Sequence, residues 1–245
     1  MLPIRDENPT LRTPVTTYAL IAANLAAWVL VQGMGAEPAL SHSVCNLGLI
    51  PGELLGRIPA GTTVPVGPGV SCRVDQPGHP LAPLTSMFMH GGWLHVLGNM
   101  WFLHVFGNNV EDVMGRFRFL VFYLLGGLAA AAAQVVAGPD SAIPMVGASG
   151  AIGAVMGSYV VLYPRAGVQT FVFLGIWARM VVLPAFVMLG YWFVLQLLSG
   201  ALAPSEGGGV AFWAHVGGFA GGIALTPLFL NRRLLAEHRA ATGFV

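Results

Sequence analysis

Long apolar runs, broken by a few polar stretches, organise this chain. A helix that crosses the hydrocarbon core needs about 20 mostly apolar residues. The first such run is Val15 to Met34. A polar segment rich in Pro and Gly follows, from about Gly35 to His90, and its stretch GRIPAGTTVPVGPGVSCRVDQPGHP cannot continue as a regular helix. Further runs are Trp93 to Asn108, Phe119 to Ala137 and Ser149 to Tyr163, joined by the loop NNVEDVMGRFR and the turn GPDSAIP. From Gly167 to Ser199 the run is too long for one helix, and Arg179 divides it. The part before Arg179 is rich in β-branched and aromatic residues and reads as an apolar loop or surface segment. The fifth helix is then Val181 to Ser199, with Pro184 near its start, where proline is tolerated. The sixth is Phe212 to Leu230, ahead of the polar tail NRRLLAEHRAATGFV.

The pattern predicts an all-α membrane protein: six transmembrane helices with one large outer loop after the first. Its regions are a cytoplasmic N-terminal segment (1–14), a membrane domain (15–230, outer loop about 35–90) and a cytoplasmic tail (231–245). No internal repeat and no sizeable soluble domain is visible.

Composition strengthens this picture. Of 245 residues 56% are hydrophobic and only 9% charged, against about 25% charged in an average soluble domain. A net charge of +1, with no Arg-rich patch among exposed aromatics, points away from nucleic acid. The N-terminus MLPIRDENPTLRTP carries acids as well as Arg, and the apolar run behind it is too long for a signal-peptide core, so it reads as a retained first span.

Arginine placement orients the chain. With the N-terminus inside, Arg5, Arg12, Arg116, Arg118, Arg165, Arg232, Arg233 and Arg239 lie on the inner face, with Arg179 near it, and only Arg57 and Arg73 lie outside. Both termini are expected in the cytoplasm. Compactness and the lack of a transit peptide suggest a bacterial inner membrane. Cys45 and Cys72 then lie in an oxidising space. A disulfide and two free loop thiols are both compatible with the sequence, which does not supply the Cα separation a bond needs.

Polar residues inside spans are costly and usually face the bundle interior. Three groups stand out: HGGWLHVLGNM with His90, His95 and Asn99; GASG with Ser149; and FWAHVGGFAGG with His215. All three spans start on the outer side, so His95, Asn99, Ser149 and His215 fall in one outer layer. His95 and Asn99 are four apart and share a helix face. Ser149 opens a helix, whose unpaired N–H groups and dipole favour a developing negative charge. Acyl transfer requires this of an oxyanion site. A serine hydroxyl needs a base to take its proton, and His215 is the candidate. Gly153/Gly157, Gly217/Gly221 and Gly218/Gly222 form GxxxG pairs that allow spans four and six to pack closely, bringing Ser149 and His215 together. No Asp or Glu lies near either residue in the spans, so the arrangement is a dyad.

HGGWLHVLGN, GASG and AHVGGFAGG, in this order on a six-helix background, resemble the rhomboid family of intramembrane serine proteases over nearly the whole chain. The resemblance implies a rhomboid-like bundle, with Ser149 as nucleophile and His215 as general base. It implies His95, Asn99 and the Ser149 N–H as oxyanion donors. Gly147, with Gly150 and His90, shapes the site. It implies transmembrane protein substrates in the lipid bilayer, cut near the outer boundary, with no cofactor and no metal. The fifth helix and the loop after it, Gly200 to Gly209, are implied to gate lateral access. The chain departs from the family at PLAPLTSMFMH, where many members carry a Trp-Arg pair. The resemblance does not set the oligomeric state.

Each residue also has a plainer reading. Alone, Ser149 is an ordinary helix N-cap or packing residue, and His215 a satisfied interior histidine. His90 reads as a loop anchor, His104 as structural, and His42 and His79 as solvated. Glu111 and Arg116 are expected to pair near the inner surface. A metal held by His90, His95 and His215 would lack a carboxylate or cysteine to complete a usual set. A catalytically silent relative would typically lack Ser149 or His215. A transporter would typically place its polar groups at mid-membrane.

Overall fold

The structure, a computed structural model, describes residues 1–67, 70–74, 78–174, 177–202 and 210–243. Its longer helices are α1 (Val15–Leu30), α5 (Trp93–Met114), α6 (Arg116–Ala137), α7 (Ser149–Leu162), α8 (Ala185–Leu202) and α9 (Phe212–Phe229), with α10 (Arg232–Thr242) after them. By length and composition α6, α8 and α9 can cross a membrane, while α1 and α7 are apolar but shorter. The chain is a mostly helical integral membrane protein.

α7 is the hub. It is buried almost throughout, from Gly150 to Tyr159. It packs against α5, α6 and α9. An apolar pattern on every face marks a helix surrounded by others. The glycines of α9 divide between two neighbours. A Cβ on Gly218 or Gly222 would fall on the backbone of Gly150 or Ala154 in α7, while one on Gly217 or Gly221 would meet Ala133 or Ala129 in α6. Thus one small-residue face of α9 packs on α7, as expected, and the other packs on α6.

Several boundaries differ from the sequence reading. α5 runs on to Met114 because the N-terminal segment satisfies the polar end of the helix. Asn109 Nδ2 donates to Asn8 O at 2.7 Å, and the Leu11 N–H donates to Asp112 Oδ2 at 3.1 Å. Glu111 does not pair with Arg116 among the described residues. Its carboxylate instead accepts the Thr16 and Thr17 N–H groups at 2.8 and 2.7 Å, capping the otherwise unpaired start of α1.

The all-α expectation is corrected by two small sheets. β1 (Leu2–Asp6), β4 (Gly167–Leu174) and β5 (Trp177–Pro184) form an antiparallel sheet in the order β1-β4-β5. The expected apolar loop before Arg179 is therefore one arm of a hairpin, with its β-branched and aromatic residues paired across strands. The fifth helix starts at Ala185 rather than Val181, because Pro184 disfavours a helical residue before it.

The segment between α1 and α5 is more ordered than its composition suggested. It holds α2 (Ala39–Leu47), α3 (Pro51–Leu54), the hairpin β2 (Thr63–Gly67) and β3 (Val70–Arg73), and α4 (Ala82–Thr85). Cys45 on α2 and Cys72 on β3 are joined as a disulfide, with a Cα separation of 5.2 Å. Of the two alternatives left open by the sequence, the bonded one holds.

Candidate active site

The turn before α7 is built for close approach. Leu49 and Met145 form a bridge, and the Gly147 N–H donates to Ser86 O at 2.9 Å. Gly147 has φ 125°, where L side chains are strained. A Cβ there would also meet His95 Nε2 at 2.6 Å. Glycine is thus required twice, by the backbone and by the space. The turn delivers Ser149 to the first helical position, where N–H groups have no intrahelical acceptor. Gly150, next along, is fully packed between Ala130 of α6 and α9.

His215 lies in the first turn of α9, and the Gly-lined contact between α7 and α9 brings it to Ser149. His215 Nε2 is 2.7 Å from Ser149 Oγ across a sequence separation of 66. Both side chains are half-buried and line a cavity of about 750 Å³.

His95 and Asn99 come to the same cavity from α5. His95 Nδ1 accepts the Gly91 N–H at 3.3 Å. That leaves the ring proton on Nε2, the nitrogen that faces Gly147. Asn99 Nδ2 is buried and has no partner among the described residues. It lies 3.5 Å from where a Gly147 Cβ would stand. Two donors therefore converge beside the Ser149 turn.

His90 is wholly buried outside the cavity's lining. The Gln32 amide holds its backbone at both ends, accepting the His90 N–H at 2.8 Å and donating to His90 O at 2.8 Å. Its ring meets that of His95 edge-on, with centroids 5.2 Å apart. Burial, reinforced by His95 beside it, pushes the His90 pKa down to about 3, so the ring is neutral. It supports His95 and does not touch Ser149.

Two residues were missed in the sequence. Gln196 of α8 is 2.7 Å from His215 Nδ1 through its Oε1, and the ring of Trp192 lies 5.7 Å from that of His215. A lone amide in an otherwise apolar span was the available signal. The hairpin β2–β3 also contributes Pro65 and Val66 to the cavity wall. Of the expected gating loop 200–209, residues 203–209 lie outside the described residues. No cluster of three metal-ligating side chains occurs among the described residues.

Residues 78–232 match the model of the Rhomboid domain. Rhomboid-related protein 2 of Mus musculus is 34% identical over 142 residues, which is 56% of this chain and 44% of that protein. RHOMBOID-like protein 5 of Arabidopsis thaliana is 25% identical over 151 residues, 57% of this chain and 47% of that one. Rhomboid-like protein 11, chloroplastic, from the same plant is 38% identical over 69 residues, 28% of this chain and 24% of that protein. The chain thus spans less than half the length of each of these relatives.

Proposed function

As the chain belongs to the rhomboid family, we propose that it is an intramembrane serine endopeptidase, with Ser149 as nucleophile and His215 as general base. The observation that carries this reading is the 2.7 Å approach of His215 Nε2 to Ser149 Oγ at the cavity. That distance is within the reach a base needs to take the hydroxyl proton.

In the proposed reaction Ser149 Oγ attacks the scissile carbonyl carbon while its proton passes to His215 Nε2. The carbonyl oxygen becomes an oxyanion, received by the Ser149 N–H, His95 Nε2–H and Asn99 Nδ2–H. The unpartnered Asn99 donor and the His95 tautomer support that role. Collapse breaks the C–N bond, and the imidazolium returns the proton to the departing amine. Water then attacks the acyl ester, giving a proton to His215, and the acid leaves as Oγ is reprotonated.

The substrates are transmembrane proteins, reached within the bilayer. The domain reading is 15–230 as six spans, with α1, α5, α6, α7, α8 and α9 as those spans. The arginine bias favours both termini in the cytoplasm, which sets the cut near the outer boundary. The test is cleavage of a helical reporter substrate in liposomes. Wild type is expected to cut it, and Ser149→Ala and His215→Ala are expected to lose cleavage. Undiminished cutting by the Ser149→Ala protein would overturn the assignment.

A further inference from the structure

The mechanism needs a particular tautomer of His215. A neutral imidazole carries one N–H. To accept the Ser149 proton at Nε2, the ring must carry its own proton on Nδ1. The opposite tautomer would present an N–H to Ser149 and could take nothing from it.

The Nδ1 side is occupied. Gln196 Oε1 stands 2.7 Å from His215 Nδ1. An amide oxygen only accepts, so the contact is satisfied when Nδ1 is protonated and is repulsive when it is not. Trp192 lies four residues before Gln196 and shares its face of α8. Its ring lies against His215 at a centroid distance of 5.7 Å and against Phe219 at 6.1 Å. One helix therefore addresses the imidazole twice, with an acceptor at Nδ1 and an aromatic ring beside its plane.

The part of α8 that carries these groups is lightly seated. Its buried residues are Ala185, Met188 and Leu189, all near its start. Beyond them Tyr191, Val194, Leu195 and Leu198 are exposed. Trp192, Gln196 and Phe193, which stacks on Phe219 at 4.7 Å, thus reach inward from a stretch whose other face is exposed.

We propose that Gln196 is the positioning residue of His215: its amide oxygen holds the Nδ1 proton and thereby keeps Nε2 free to accept from Ser149. This rests on the serine-protease reading. The dyad then has a third member, a neutral one, supplied by α8. The base is in its working tautomer only while that stretch of helix lies against α9.

The test uses the full chain in liposomes with the helical reporter substrate, comparing wild type with Gln196→Leu and Gln196→Glu. Leu cannot accept a hydrogen bond. It is expected to lower kcat by at least about tenfold and at most by the roughly 10²–10⁴ that a general base contributes, with KM unchanged. Glu keeps an acceptor and is expected to restore kcat to within a few-fold of wild type. The ¹⁵N shifts of the His215 ring are expected to show Nδ1–H in wild type and a loss of that preference in Gln196→Leu. Wild-type kcat in Gln196→Leu, an equal loss in both variants, or an Nε2–H ring in wild type would overturn the proposal. If the Leu variant fails to fold, the wild-type ring shifts decide alone. Failure of the protease reading looks different: wild type does not cut, or Ser149→Ala still does.

Discussion

His238 Nδ1 lies 2.9 Å from Asp112 Oδ2, with both side chains wholly excluded from solvent. The pair joins the C-terminal helix α10 to the end of α5. The other ring nitrogen is 3.0 Å from Asn8 Oδ1, and Arg12 bridges Asp112 and Glu237. The two chain ends and α5 therefore share one polar knot on the side of the bundle opposite Ser149.

Removing one partner of a buried pair leaves the other uncompensated. Asp112→Ala is expected to destabilise the protein by about 3–5 kcal/mol, leaving His238 Nδ1 and the Leu11 N–H without their acceptor while Arg12 keeps Glu237. Arg57 and Asp140 also pair, at 3.2 Å, but both are exposed. Arg57→Ala is expected to cost less than about 1 kcal/mol. Thermal unfolding in detergent compares the two, and equal losses would contradict this account.

Asp6 should make stability depend on pH. Tyr159 donates to its carboxylate at 2.6 Å, yet burial outweighs that bond and raises the carboxyl from 3.8 to about 6. Between these values the folded protein holds the Asp6 proton more tightly than the unfolded chain does. The contribution to stability is therefore greatest below the unfolded value and is lost as pH rises through about 6. A shift of this size corresponds to at most about 3 kcal/mol. Asp6→Asn is expected to flatten unfolding midpoints measured from pH 4 to pH 7, relative to wild type; an unchanged slope would refute it.

The Cys45–Cys72 bond closes 27 residues of chain. Chain entropy assigns such a loop about 3.5 kcal/mol. Reduction is expected to release the hairpin β2–β3 locally, because the bond ties β3 to α2. Trypsin cutting after Arg57 and Arg73 should then accelerate under reductant, while the rest of the chain stays protected. Identical cutting with and without reductant would exclude this role.

The glycines of α8 and α9 should respond in opposite ways. A side chain at Gly222 collides with the backbone of Ala154, and neither helix can yield without opening the bundle. Gly222→Leu is expected to destabilise by about 3 kcal/mol or more. A side chain at Gly190 would meet nothing within 4 Å among the described residues. There, Gly190→Ala is expected to add about 0.5–1 kcal/mol, through helix propensity alone. Unfolding midpoints in one detergent test both.

The sequence by itself determined the helical framework and singled out Ser149, His95, Asn99 and His215 as candidate site residues. Both are written in local terms: apolar run length, four-residue glycine spacing, and polar side chains at matched depth. What hydropathy does not encode is which backbone groups find partners across the fold. The strand pairing of 2–6 with 168–171, the capping of α1 by Glu111 and the Cys45–Cys72 bond each join segments whose separation has no signature in either one alone. Gln196 belongs with them. A lone amide in an apolar helix is visible in the sequence, but its meeting with His215 Nδ1 depends on the crossing of α8 and α9, and only the tertiary structure decides that.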